Sequence, residues 1–169
     1  MIYPIVKFGQ PVLEKVAEPV SEFDQELEKL VADMFETMYA ANGVGLAAPQ
    51  IGIAKQLSVI DTSGGQDPDA RIVLVNPSVI STEGEVNEEE GCLSLPEFRA
   101  PTPRPLRVTV RAQDLRGKEF TMSGEGLLAR AFCHETDHLN GVLFIRHLSR
   151  LKRESIKRRI RQLMKADQW

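Results

Sequence analysis

FCHETDHLNG, Phe132 to Gly141, sets two histidines four residues apart with a glutamate directly after the first. Positions i and i+4 lie on one face of an α-helix, so His134 and His138 are expected to reach the same ion. Glu135 lies about 100° around the axis, near enough to act on a water at that ion without being a ligand. The pattern predicts a helix that carries two metal ligands and a general base.

Two further helices are predicted on either side of this one. The first is amphipathic, with Ser21 and Asp24 as start signals and Asn42-Gly43 as its end. Its apolar residues recur at steps of three and four: Leu27, Leu30, Val31, Met34, Phe35 and Met38. The helix of the opening motif is expected to begin near Gly124–Leu127 and to end at Asn140-Gly141. A third helix is predicted in the tail, and its apolar side is expected to comprise Leu148, Leu151, Ile156, Ile160 and Leu163.

Short strands are predicted between the first helix and the opening motif. They are Leu57–Ile60, Ile72–Val75, Leu106–Val110 and Glu119–Met122, with a turn at Asp114–Gly117. Gly43–Gly52 is predicted to be an apolar loop and Ser63–Ala70 a polar surface loop. The fold class is therefore α+β, with short mixed or antiparallel strands packed around a central helix and further helices towards both termini. We expect residues 1–169 to form a single catalytic domain, with 146–169 as a basic C-terminal helix.

Composition restricts the classes of function. The amino terminus has no basic segment followed by an apolar one, and no run approaches the ~18 apolar residues of a membrane span. The only two cysteines, Cys92 and Cys133, are expected to be free thiols or metal ligands. We expect a soluble cytoplasmic protein, with neither membrane nor DNA as a partner.

The third metal ligand is expected to decide the class of enzyme. A metzincin would continue with a histidine at the position of Phe144, which cannot bind a metal. Glu154 lies in the basic tail, His147 lies beyond the helix end, and Cys133 adjoins His134 too closely on the helix.

Cys92 remains as the candidate, within EGCLS, Glu90 to Ser94. This segment is unlike ordinary strand or helix sequence, and Gly91 allows the backbone to approach an ion closely. One thiolate and two imidazoles leave one tetrahedral position open, which is typical of a catalytic site.

Three segments together resemble the signature motifs of the peptide deformylases. They are GVGLAAPQ (Gly43–Gln50), EGCLS (Glu90–Ser94) and HETDH (His134–His138), in that order and at similar spacing. The resemblance covers nearly the whole chain, and the tail resembles the bacterial form that ends in a helix. It implies a hydrolase that removes the formyl group from the N-terminal formyl-methionine of new polypeptides and releases formate.

The resemblance also implies residue roles. Cys92, His134 and His138 would hold one divalent metal ion, and Glu135 would be the general base and then the general acid. The side-chain amide of Gln50 and the backbone N–H of Leu93 would stabilise the oxyanion. Substrate contacts would fall on Val44, Gly45, Glu90, Gly91, Arg99, Arg130 and Ala131. Arg130 and Ala131, with Cys133, would line or border the methionine pocket.

The metal is implied less directly. Cys-His-His suits zinc by ligand type, whereas the resemblance implies Fe2+ in the cell, with Zn2+, Ni2+ or Co2+ able to occupy the site. Because a thiolate on iron is open to oxidation, we expect activity to be lost in air.

The tail is strongly basic and suggests a partner. Residues 146–165 contain nine lysines and arginines and one acid, whereas residues 1–145 contain twelve bases and twenty-two acids. Clustered positive charge favours phosphate binding, so the ribosome near its tunnel exit is a candidate partner beside formylated nascent peptides. Two other functions stay open: a zincin-like metalloendopeptidase, and a non-enzymatic, metal-stapled domain that contacts RNA or the ribosome.

Overall fold

The computed structural model describes residues 1–169 and has the predicted α+β class. The helices are α1 (Gln25–Ala40), α2 (Leu127–Leu139) and α3 (Arg150–Lys165). The strands are β1 (Gly45–Ala47), β2 (Leu57–Ile60), β3 (Ile72–Glu83), β4 (Val86–Cys92), β5 (Leu95–Arg104), β6 (Arg107–Gln113) and β7 (Glu119–Glu125).

The strands form two antiparallel sheets. One has the order β1-β2-β3-β6-β7, and the other is the hairpin of β4 and β5. Helix α2 packs on the larger sheet, where Phe132 is fully buried in a cluster with Val108 and Val110 of β6. The helix also contacts β5, so it lies between the two sheets as the predicted central helix.

The start and end of α1 and the turn between β6 and β7 lie where the sequence predicts them. The carboxylate of Asp24 accepts a hydrogen bond from the Leu27 backbone N–H (3.0 Å) and so caps the start of α1. After the end of α1, Asn42 takes a left-handed conformation with φ +58°. The predicted turn between β6 and β7 is closed by a hydrogen bond from the Gly117 N–H to the Asp114 carbonyl (3.0 Å).

The hairpin of β4 and β5 contradicts one prediction. The segment around Cys92 was not expected to be a strand, yet Val86–Cys92 is β4. Three consecutive glutamates and several prolines lower the β propensity of the hairpin, and its two-stranded pairing tolerates them. The Gly43–Gly52 segment is also more regular than predicted, since β1 and a 3-10 turn at Ala48–Ile51 lie within it.

The tail differs from the prediction in one side chain and at both ends of its helix. Ile156 and Ile160 are buried as expected, but Leu151 is 83% exposed. It precedes Ile156 by five residues, which turns it about 140° away around the helix. The α-helix itself spans only Arg150–Lys165: Phe144–His147 forms a separate 3-10 turn before it, and residues 166–169 lie beyond its end. None of the helices is both long and apolar enough to span a membrane.

Candidate active site

Helix α2 presents both histidines of the opening motif on its inner face. His134 and His138 are 8% and 1% exposed, and their Nε2 atoms are 3.2 Å apart. Burial and the neighbouring His134 hold the pKa of His138 well below its usual range, which favours the neutral ring that a metal needs.

Cys92 completes the cluster from the end of β4. Its Sγ lies 3.3 Å from Nε2 of His138, and the ligand atoms of Cys92, His134 and His138 all lie within 4.8 Å of one another. Three donors at these separations fit a tetrahedral ion with metal–sulfur and metal–nitrogen bonds of about 2.3 and 2.0–2.1 Å. Cys92 and His134 also line a cleft in the surface, so the remaining coordination position can face substrate.

A buried carboxylate orients the first histidine. Oε2 of Glu90 lies 2.7 Å from Nδ1 of His134. An ionised carboxylate can only accept, so Nδ1 carries the hydrogen and Nε2 is free for a metal. Burial acts to raise the pKa of Glu90, but hydrogen bonds from His134 and Arg104 outweigh it and hold the pKa well below its usual range.

Two arginines hold Glu90 in turn. Arg104 donates to both carboxylate oxygens (3.0 and 2.7 Å), and Arg130 donates to Oε1 (2.8 Å). Arg104 also donates to Asp137 (2.7 Å), which contacts His147 (2.8 Å). Arg104 was not among the predicted site residues, because only the pairing of β4 with β5 brings it beside the α2 motif.

Hydrogen bonds within the protein hold the side chain of Gln50 in place. Its side chain is 1% exposed, its Oε1 accepts from the Ala47 N–H (3.0 Å), and its Nε2 donates to Oγ of Ser94 (3.1 Å). The same Nε2 lies 3.6 Å from Sγ of Cys92. The amide therefore points at the metal cluster. Ser94 is a second residue that the sequence analysis did not single out.

Glu135 lies beside the cluster with a free oxygen. It is 4% exposed, and its Oε1 has no hydrogen-bond partner in the protein. Burial raises the pKa of Glu135 to about 7, against the effect of His134. A carboxyl group with that pKa can both accept and donate a proton near neutral pH.

The cleft above these groups has a volume of about 460 Å³. Leu93 and every residue predicted to contact substrate line it: Val44, Gly45, Glu90, Gly91, Arg99, Arg130 and Ala131. Their contact with substrate stays a prediction.

The other candidates for the third ligand lie elsewhere. Cys133 is packed in the core cluster on β6, and His147 contacts Asp137. Phe144, which occupies the position of the third metzincin histidine, is buried and stacks on His134 with ring centroids 6.3 Å apart. It therefore supports a ligand ring.

Fold and site together are those of a metal-dependent hydrolase: Cys92, His134 and Glu135 line the cleft, and His138 completes the cluster of possible metal ligands. The family model for polypeptide deformylases matches residues 2–154. The chain belongs to this family, whose members remove the formyl group from the N-terminal formyl-methionine of new polypeptides.

Individual relatives agree with this assignment over nearly their whole length. A peptide deformylase of Acidobacterium capsulatum is 59% identical over 169 residues, which covers 100% of this chain and 99% of the relative. One from Thermodesulfovibrio yellowstonii is 49% identical over 160 residues, 95% of this chain and 97% of the relative. The crystal structure of a peptide deformylase from Legionella pneumophila superimposes with a TM-score of 0.91 at 47% identity and covers 99% of this chain and 98% of that one.

Proposed function

We propose that this cleft carries out the family's deformylation, with residues 1–169 acting as one catalytic domain. The observation that carries the proposal is the convergence of Cys92, His134 and His138 beside Glu135, whose Oε1 is buried and has no hydrogen-bond partner in the protein. An endopeptidase of the metzincin type would need a ligand where this chain has the buried Phe144.

Cys92, His134 and His138 would hold a single divalent ion, and we assign Fe2+ to it in the cell, with Zn2+, Ni2+ or Co2+ able to replace it. When bound, the ion supplies Lewis acidity, which lowers the pKa of a coordinated water towards ~7 and polarises a carbonyl. Glu90 keeps His134 in the tautomer that leaves Nε2 available.

Glu135 moves the proton. As a carboxylate it takes the proton from the attacking water, and as an acid it gives that proton to the departing amine. Its free Oε1 and its pKa of about 7 support both steps. Because the leaving group is the amine of methionine, formate and a free N-terminus are the products.

Gln50 and Leu93 are assigned to the oxyanion. The amide Nε2 of Gln50 is a neutral donor held towards the cluster by Ser94, and the backbone N–H of Leu93 follows directly after the ligand Cys92. Such a donor is typically worth about 2.7–4 kcal/mol of transition-state stabilisation. Val44, Gly45, Gly91, Arg99, Arg130 and Ala131 would form the walls that bind the peptide and the methionine side chain, together with Glu90.

One pair of assays tests the reaction. Formate release from formyl-Met-Ala-Ser should occur without cleavage of internal peptide bonds. Glu135→Gln should abolish turnover while Cys92, His134 and His138 still bind the metal. Internal cleavage would support the zincin-like endopeptidase, and metal binding without turnover would support a non-enzymatic domain.

The ribosome is the second partner that we propose, in the cytoplasm. The exposed side of α3 carries Arg158, Arg159 and Arg161. Ile156 and Ile160 of the same helix are buried and pack it against the rest of the protein. Clustered basic side chains bind phosphates in a salt-dependent way.

Co-sedimentation with ribosomes tests this partner. Replacing Arg158, Arg159 and Arg161 with glutamate should abolish it without loss of formate release. The matched control is Lys118→Glu, an exposed charge in the turn between β6 and β7. Unchanged sedimentation of the triple variant would contradict the ribosome proposal.

A further inference from the structure

Trp169 packs against a side chain that lines the cleft. Its ring and the ring of Phe98 meet edge to face, with centroids 6.0 Å apart and an interplanar angle of 61°. Phe98 is half-buried and belongs to the cleft wall. Aromatic pairs in this arrangement attract each other, so Trp169 restricts the positions that the Phe98 ring can take.

Trp169 is itself fixed by the N-terminal segment. Its Nε1 donates a 2.8 Å hydrogen bond to the carbonyl of Phe8, and Nζ of Lys7 lies 5.8 Å from the ring centroid. The backbone N–H of Phe8 donates to the carbonyl of Ser94 (2.8 Å). The indole is thus anchored to the same segment that braces the serine beneath Gln50.

Phe98 lies at the rim of the cleft. Its neighbours Glu97 and Arg99 are both exposed, and Glu97 has a left-handed backbone with φ +71°. The groups that would react with the formamide, such as Glu135, lie buried at the floor. A peptide whose formyl group reaches the floor would therefore contact the rim with its later residues.

We propose that Trp169 is a positioning residue for substrate selection, which holds the Phe98 ring as an apolar rim for the residues after the formyl-methionine. The inference rests on the function proposed for the cleft. It also identifies the favoured ligand by its chemistry: a formylated peptide with an apolar side chain beyond methionine, because Phe98 is apolar between charged neighbours.

Steady-state kinetics with a short and a long substrate test the inference. For formyl-Met-Ala-Leu, Trp169→Ala should raise KM about two- to tenfold, the factor expected for one aromatic contact, and leave kcat unchanged. For formyl-methionine amide, KM should stay within about twofold of wild type. Trp169→Phe keeps an aromatic ring but cannot donate a hydrogen bond to the Phe8 carbonyl, so it should restore KM in part. Met164→Ala, which removes a half-exposed side chain from the adjoining groove, is the matched control.

A second variant separates this effect from general loss of stability. Phe98→Ala removes the other ring and should give the same KM change, with no further change when it is combined with Trp169→Ala. An unchanged KM in Trp169→Ala, an equal change for both substrates, or a Trp169→Phe variant as impaired as Trp169→Ala would each overturn the inference. Absence of turnover in the wild-type protein would instead contradict the proposed function.

Discussion

At the scale of single residues, the position of Glu135 depends on the absence of a side chain at Gly45. A Cβ built on Gly45 would lie less than 3.0 Å from Oε2 of Glu135. Because Oε1 has no hydrogen-bond partner in the protein, packing determines the orientation of this carboxylate. The small size of residue 45 therefore determines where the Glu135 carboxylate can lie.

Gly45→Ala is expected to lower kcat about 10²-fold, because a displacement of about 1 Å in a catalytic group has an effect of that size. The metal content should stay the same, since the three atoms nearest to the new methyl group all belong to Glu135 and not to a metal ligand. Formate release and metal analysis on the same preparation check this, with Ser81→Ala, an exposed position on β3 outside the cleft, as the control. A Gly45→Ala enzyme within threefold of wild type would show that Glu135 adjusts freely.

Glu90→Gln should weaken metal binding about 10- to 100-fold, as expected for the loss of a carboxylate that orients a ligating histidine. It should also lower the free energy of unfolding by about 3–5 kcal/mol, because Arg104 and Arg130 would lose their buried partner. Metal titration and urea unfolding measure the two effects. The control is Glu89→Gln, an exposed neighbour whose ion pair with Arg99 is also exposed, and it should change the unfolding free energy by no more than about 0.5 kcal/mol.

At the scale of elements, predictability followed the strength of local signals. Helix α2 and its ligand pair were predictable because a 3.6-residue period and a chemical motif coincide in one short segment. The hairpin of β4 and β5 was not predictable, because its glutamates and prolines have low β propensity. Arg104 was not predicted for a related reason: it lies on β5 opposite Val86, and its side chain reaches Glu90 of β4 only because the hairpin forms. Leu151 was placed wrongly because its apolar character alone suggested burial.

The loop after β2 is held by one buried carboxylate. Asp61 is fully buried and accepts hydrogen bonds from Tyr39, from the Ser63 N–H and hydroxyl, and from the Gly65 N–H. Burial acts to raise its pKa, but the hydrogen bonds of Ser63 and Tyr39 lower the pKa of Asp61 below its ordinary 3.8. The ionised side chain is therefore the form that stabilises this loop.

Asp61→Asn is expected to lower the free energy of unfolding by about 1.5–3 kcal/mol at pH 7, the range for hydrogen bonds to a charged group. Since the folded-state pKa is the lower one, this contribution is complete above about pH 4 and is lost as the pH falls through the folded-state value. Urea unfolding of both proteins at pH 7, 5 and 3 should show a difference that narrows only at the lowest pH. If the difference in free energy of unfolding did not change with pH, the packing of the Asp61 side chain, and not its charge, would hold the loop.

At the scale of the whole molecule, the metal cluster joins segments that are distant in sequence. Cys92 comes from the small hairpin, whereas His134 and His138 come from α2 on the larger sheet. An ion bound to all three would link the two sheets across the cleft. Metal binding and global stability should therefore be coupled, because the unfolded chain cannot offer the three ligands together.

Removal of the metal by a chelator, without oxygen, should lower the thermal midpoint and abolish formate release. A ligand present at 1,000 times its dissociation constant stabilises the folded state by about 4 kcal/mol, so the shift should be several degrees. Adding back Fe2+ without oxygen should restore both properties. In air, the iron form should lose activity as the Cys92 thiolate oxidises, whereas the Ni2+ form should keep it. Calorimetry and formate release are measured on the same samples. An equal thermal midpoint with and without metal would mean that the two sheets are held together without the ion.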